Sequence, residues 1–148
     1  MSDLHWMTVG AAARAIAAKE VSPVDLTKAL LDRIEQLDPK LNAFIRVDGE
    51  AAMAAALAAE TEAQSGRLRG PLHGVPVGIK DIIDVAGLPT TCHSKVRQDN
   101  MASADAVCVE KLRGAGAIVL GKLSTHEFAI GGPSFDLPWP PMKAGTTL

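Results

Sequence analysis

Apolar positions recur every three or four residues along the start of the chain. Val9 to about Ala18 makes a first helical stretch, and Thr8 is placed to cap it. Leu26, Leu30, Ile34 and Leu37 repeat at the same spacing, while Arg33 and Glu35 fall off that stripe. Ser22-Pro23-Val24-Asp25 opens this second helix with a serine N-cap, a proline at the first helical position and an acid at N3, as in a capping box. Pro39 is expected just past its end. An Ala-rich run from about Gly49 to Gln64, closed by Gly66, predicts a third helix. This helical layer, residues 1–69, reads as packing rather than chemistry.

The pattern changes at Gly70-Pro71. Val75 to Lys80 is a short apolar run rich in β-branched residues and predicts a buried strand. Asp84 to Asn100 is loop-like, with Gly87, Pro89, Thr90 and Thr91. Ser103 is placed to cap a helix from Ala104 to about Gly114, which Gly114-Ala115-Gly116 would end. Ala117 to Leu120 is a second apolar strand, and Ser124 or Thr125 opens a short helix into Ala129. Strand, helix and strand joined by a crossover imply a parallel, right-handed βαβ unit over residues 70–130. Neither strand alternates with polar residues, so both faces should be covered by helices. The expected fold class is α/β: a helical layer followed by the start of a helix-flanked sheet. Ligands in such sheets bind outside the carboxyl ends of the strands. Lys80 falls at that end of the first strand, and Lys122 just past that of the second. Residues 131–148 hold four prolines and no helix or strand signal. Two parallel strands do not make a self-sufficient sheet, so the chain reads as cut short in the middle of a single domain.

Composition narrows the function classes. Of 148 residues, 47% are apolar and only 3% aromatic, with no Tyr, which suits helices packed on a sheet and not a base-stacking platform. The net charge of −2 is spread without a basic block, so nothing draws phosphate backbones or anionic lipid, and no direct nucleic-acid or membrane partner is expected. No apolar run reaches the ~18 residues of a membrane span. The N-terminus lacks a signal-peptide pattern. Cys92 and Cys108 are far apart and form no CxxC, which fits a reducing cytoplasm.

The candidate chemistry lies in Gly70-Pro-Leu-His-Gly-Val-Pro-Val-Gly-Ile-Lys-Asp and the residues up to Pro89. This segment resembles the amidase signature family. Ser103-Ala-Asp-Ala-Val, the run from Leu112 through Gly121-Lys122-Leu-Ser-Thr-His-Glu-Phe-Ala, and Gly132-Pro133-Ser134 continue the resemblance downstream. Ser22-Pro23-Val24-Asp25-Leu26 and Leu41-Asn42-Ala43-Phe44 continue it upstream. The blocks occur in the family's order from roughly Thr8 to Pro141, and the last seven residues do not match.

The resemblance implies a hydrolase or transferase acting on linear amide C–N bonds through a serine, a second serine in a cis peptide and a lysine. It places the lysine at Lys80 and implies a small-molecule amide substrate and no cofactor. A homo-oligomer is a further possibility. The nucleophilic serine and the cis-serine belong to a Gly/Ser-rich stretch expected shortly after residue 141. No Gly-Gly-Ser-Ser run occurs there, so neither serine is present in this chain, and the chain alone is expected to be inactive. A serine hydroxyl needs a base to take its proton. A lysine serves only when neutral, and desolvation favours that form. Val75, Val77, Ile79, Ile82 and Ile83 would supply an apolar setting, and strand alternation should point Asp81 away from Lys80.

Within the family, the A subunit of tRNA-dependent amidotransferases competes with the stand-alone hydrolases, and Thr125-His126-Glu127-Phe128 leans toward the latter. A non-catalytic binding fragment or pseudogene product is the alternative outside enzymology. Other candidates read as structural. Gly116 to Lys122 fits GxxxxGK without the final Ser/Thr, and its intervening residues read as a strand rather than a phosphate loop. His73 reads as a loop histidine bonding backbone. Cys92-His93 lacks a second ligand set for a metal. His126-Glu127 follows a cap and favours a helix start. Asp81 and Asp84 should bond backbone N–H groups, and Ser124 and Ser134 should serve capping or loop bonding.

Overall fold

The computed structural model describes residues 3–132 and 137–143. The elements are α1 (Val9–Ala17), α2 (Pro23–Leu41), β1 (Phe44–Val47), α3 (Gly49–Gln64), β2 (Pro76–Lys80), α4 (Val107–Gly114) and β3 (Ile118–Leu123), with short 3-10 turns at Asp3–Trp6, Lys95–Arg97 and Glu127–Ala129. The mixed α/β class expected from the sequence is the one observed. The three strands form one sheet in the order β1-β3-β2. Contacts group the chain into two compact units: residues 1–36, 48–77 and 111–120, and residues 37–47, 78–110 and 121–148.

In the first unit, Thr8 Oγ1 accepts from the Ala11 N–H and starts α1. Ser22 Oγ accepts from the N–H groups of Val24 and Asp25, as a helix N-cap does, and donates to the Glu60 carboxylate of α3. Ala12, Ile16, Leu26 and Val75 form the core, with Leu30 and Leu72 packed against it. α3 buries the alanine stripe Ala52, Ala56, Ala59 and Ala63, whose four-three-four spacing keeps one face turned inward. His73 is buried as a bonded loop residue: Nδ1 accepts from the Arg69 N–H at 3.1 Å, and Nε2 donates to the Ala59 carbonyl at 2.9 Å.

The second unit holds the last turn of α2. Pro39, expected beyond the helix, lies inside it, and the helix continues to Leu41. The turn closes without Pro39's missing N–H: Asn42 N–H donates to the Asp38 carbonyl at 2.7 Å, and Asp38 Oδ1 accepts from Ala43 and Phe44. β1, which no pattern in the sequence predicts, pairs antiparallel with β3, with Phe44 opposite Leu123 and Val47 opposite Gly121. β2 and β3 run parallel. The Ile118 N–H meets the Val75 carbonyl, and the Asp81 N–H meets that of Leu123, so residue numbers rise together.

Three further elements differ from the pattern-based expectation. α4 begins at Val107 rather than Ala104. The preceding residues are held elsewhere: Asp105 Oδ1 accepts from the Ala86 N–H, and the Ala106 N–H goes to the Asp84 carbonyl. β3 runs three residues past Leu120, which puts Lys122 inside the strand. The short helix expected after Ser124 is a 3-10 turn with Phe128 at φ 50°. β3 is buried over Ile118–Lys122, as a covered strand should be, whereas Gly78 and Lys80 of β2 are exposed. Gly78 and Lys80 lie two residues apart on one side of β2, so that side is open among the described residues and covering on both faces does not hold for it.

Candidate active site

Two neighbouring charges leave the carboxyl end of β2 in opposite directions. Lys80 is exposed, and Asp81 is fully buried, as strand alternation requires. Asp81 Oδ2 accepts from the Thr91 N–H at 3.1 Å and from the Thr91 hydroxyl. Its Oδ1 lies 2.9 Å from Lys122 Nζ, a charge contact outside hydrogen-bond alignment. Lys122 is 1% exposed and spends its donors on the Pro89 carbonyl and Thr90 Oγ1, both at 2.9 Å. Asp81 thus bonds backbone as the sequence suggests. Its ion pair with Lys122 is not legible there, because the apolar pattern places Lys122 beyond the strand.

This buried pair fixes the loop 89–94. The Cys92 N–H donates to the Asp81 carbonyl, and the His93 N–H donates to Thr91 Oγ1. Cys92 and His93 are both left-handed, at φ 52° and 55°. Burial pushes the Cys92 thiol up, with the Arg97 guanidinium opposing it. The imidazole of His93 is buried and makes an edge contact with Trp139 at 5.7 Å, while Nε2 donates to the Trp139 carbonyl at 3.1 Å.

A second loop faces the first. The Ser124 N–H donates to the Ala43 carbonyl and its hydroxyl to that of Asn42, both at 2.8 Å. The Phe128 N–H donates to the Cys92 carbonyl at 2.9 Å. Asn42 Nδ2 donates to the Pro141 carbonyl, which holds the segment 137–143 alongside.

Between these loops lies a cleft of about 210 Å³ whose polar lining is Lys80, His93, Ser124, Thr125, His126 and Glu127. Leu137, Pro141 and Met142 complete it. The structure therefore gathers Lys80 with His93, Ser124, His126 and Glu127. It leaves Asp81 and Lys122 beneath as supports and His73 in the other unit. Asp84 is exposed and offers its carbonyl to Ala106. Ser134 lies outside the described residues. Ser124 serves loop bonding, as expected, although no helix follows it directly. The apolar enclosure expected around Lys80 is not found among the described residues, where the side chain is exposed. No three His, Cys, Asp or Glu side chains among those residues converge as metal ligands. His93 reads from sequence only as half of an adjacent Cys-His pair, and nothing in the linear pattern places it against Lys80.

The family model described as Amidase matches residues 25–134. The chain belongs to the amidase signature family. The A subunit of the glutamyl-tRNA(Gln) amidotransferase of Chloroflexus aurantiacus is 40% identical over 97% of this amidase-family chain and 31% of its own length. The corresponding protein of Azotobacter vinelandii is 43% identical over 95% and 29%. Among solved structures, the native peptide amidase from Stenotrophomonas maltophilia matches with a TM-score of 0.77 at 38% identity, over 83% of this chain and 26% of that one. An inhibitor-bound form of a vestigial protein complex, described as revealing the origins of an s-triazine catabolic enzyme, matches at TM-score 0.87 and 32% identity, over 94% and 31%. The chain thus spans under a third of the length of the relatives it matches.

Proposed function

We propose that Lys80 is the proton acceptor of a Ser–cis-Ser–Lys amide-cleaving centre. In this reading Lys80 draws a proton through the cis-serine from the nucleophilic serine, and water or a second amine resolves the acyl-enzyme. One observation carries it: Lys80 stands at the carboxyl end of a parallel strand, in the cleft, in a chain of the amidase family. Neither hydroxyl partner is assigned to a residue of this chain. A lysine accepts a proton only when neutral, and Lys80 is exposed here, so whatever brings the two serines to the cleft must also take its amine out of water. The 148 residues alone are therefore expected to be inactive. The substrate is a small carboxamide, and the site of action is the cytoplasm.

A second reading rests on the curated relatives at 40–44% identity, which are named as amidotransferase A subunits, whereas the peptide amidase is 38% identical. In that reading the ammonia released by amide cleavage is passed to a charged tRNA, which accepts it, with ATP and partner subunits.

The test joins residues 1–141 to the remaining length of the Chloroflexus relative, then measures amide turnover beside the 148-residue chain. The short chain should be inactive. Turnover by the fusion should fall about 10²–10⁴-fold on Lys80→Ala, the worth of a positioned base. Turnover indifferent to Lys80→Ala sinks the proposal. Ammonia release without tRNA favours the hydrolase, and glutaminase activity that needs partner subunits favours the transferase.

A further inference from the structure

One wall of the Lys80 cleft carries a bare acceptor that no step of the proposed reaction uses. His93 is 1% exposed, and its Nε2–H is committed to the Trp139 carbonyl, which leaves Nδ1 as the unprotonated nitrogen of that tautomer. Nδ1 is buried and has no hydrogen-bond partner among the described residues. Thr125, which lines the same cleft, also has a buried hydroxyl without a partner among those residues. Buried polar groups are nearly always satisfied, so two such groups in one cleft mark a place where a ligand completes the bonding.

The backbone agrees. Cys92-His93 and Phe128-Ala129 are two pairs of consecutive left-handed residues, joined by the Phe128 N–H to Cys92 carbonyl bond. Such conformations persist where the surroundings enforce them and concentrate at binding sites.

We propose that His93 determines specificity in this cleft, with Nδ1 accepting a hydrogen bond from the N–H of a bound carboxamide. The Thr125 hydroxyl is the matching donor for the carbonyl oxygen. The inference rests on the cleft being an amide site and adds what selects the amide: ligands with a carbonyl but no N–H, such as esters and N,N-dialkyl amides, lose the His93 contact. A site whose buried acceptor is built to meet a ligand's N–H rejects ligands that lack one, because the acceptor is then left unpaired.

The probes are propionamide, N,N-dimethylpropionamide and methyl propionate, titrated into the 148-residue chain with ¹⁵N-labelled histidine. The His93 spectrum should show the Nε2–H tautomer, and propionamide alone should shift its Nδ1 resonance. His93→Phe keeps a ring edge against Trp139 but removes both the Nδ1 acceptor and the Nε2–H bond to the Trp139 carbonyl, so it is read from the ratio of its affinities for the three probes. Relative to the other two probes, its affinity for propionamide should fall about five-fold, the worth of one net hydrogen bond. An Nδ1–H tautomer, equal responses to all three probes, or no response to any of them overturns the inference, and the wild-type spectra decide it even if the variant does not fold. Loss of this discrimination with Lys80-dependent turnover intact in the fusion removes the His93 assignment alone. Intact discrimination with turnover indifferent to Lys80 removes the base assignment alone.

Discussion

Asp81 and Lys122 are each taken out of water almost completely, and two buried ions are tolerable only because each is met by the other and by further hydrogen bonds. Thr91 donates twice to the carboxylate, and Pro89 and Thr90 accept from the ammonium. The cost of disturbing the pair lies in what is left behind. Asp81→Asn keeps the size and the Thr91 contacts but strands the Lys122 charge, and should destabilise the chain by about 3–5 kcal/mol. Lys122→Met strands the carboxylate and should cost a similar amount. The double variant strands neither, so its loss should be well below the sum of the two single losses. A double-mutant cycle from urea midpoints reads the coupling directly, and additive losses would show that the two charges act independently. Lys80, one residue from Asp81 and on the opposite side of the strand, should tolerate Lys80→Ala with little change in the same measurement.

At the scale of elements, β3 is where the site is assembled, and Gly121 is what lets β1 lie against it. A Cβ on Gly121 would run into the Arg46 carbonyl oxygen, so only glycine fits the Arg46–Val47 backbone there. Gly121→Ala should separate the strands, cost about 1–3 kcal/mol or more, and disturb the Lys122 contacts next door. A lowered urea midpoint, with the histidine spectrum of His93 changed, would confirm this, and an unchanged midpoint would refute it. The same glycine explains part of what the sequence hides. The residue pattern locates α1, α2 and α3 by helical periodicity, and β2 and the core of β3 by continuous apolar runs, because burial demands each. It stops β3 at Leu120, since Gly121-Lys122 looks like a strand end unless a buried partner for the lysine is known. It misses β1, only four residues long, whose pairing depends on a strand dozens of positions away. α4 begins late because long-range hydrogen bonds from the 84–86 segment outweigh the local cap signal at Ser103. Lys80 is legible through its motif. His93 is not, since its place in the cleft depends on the loop that Asp81 and Lys122 hold.

For the whole molecule, the question is what its surface does in solution. β2 ends the sheet, but Pro76 lacks an N–H and Lys80 is charged, and both features discourage another strand from pairing there. β1 is short and carries the exposed Arg46. Association through strand edges is therefore disfavoured, and exposed apolar side chains are the stronger cause of self-contact. Val96 and Ile130 are 87% and 77% exposed, and Met101, Val107 and Met142 are exposed as well. Opposing them is a net charge of only −2, with a pI near 6.1. Repulsion between copies vanishes as pH falls toward that value, while the apolar contacts do not depend on it. Sedimentation velocity should accordingly show association rising as the pH is lowered from about 8 to about 6. The Val96→Glu/Ile130→Glu variant removes two apolar contacts and adds two negative charges, so it should remain monomeric across that range. If the variant associates as the parent does, the contacts lie elsewhere. If association of the parent does not rise as the pH approaches the pI, net charge does not hold the copies apart.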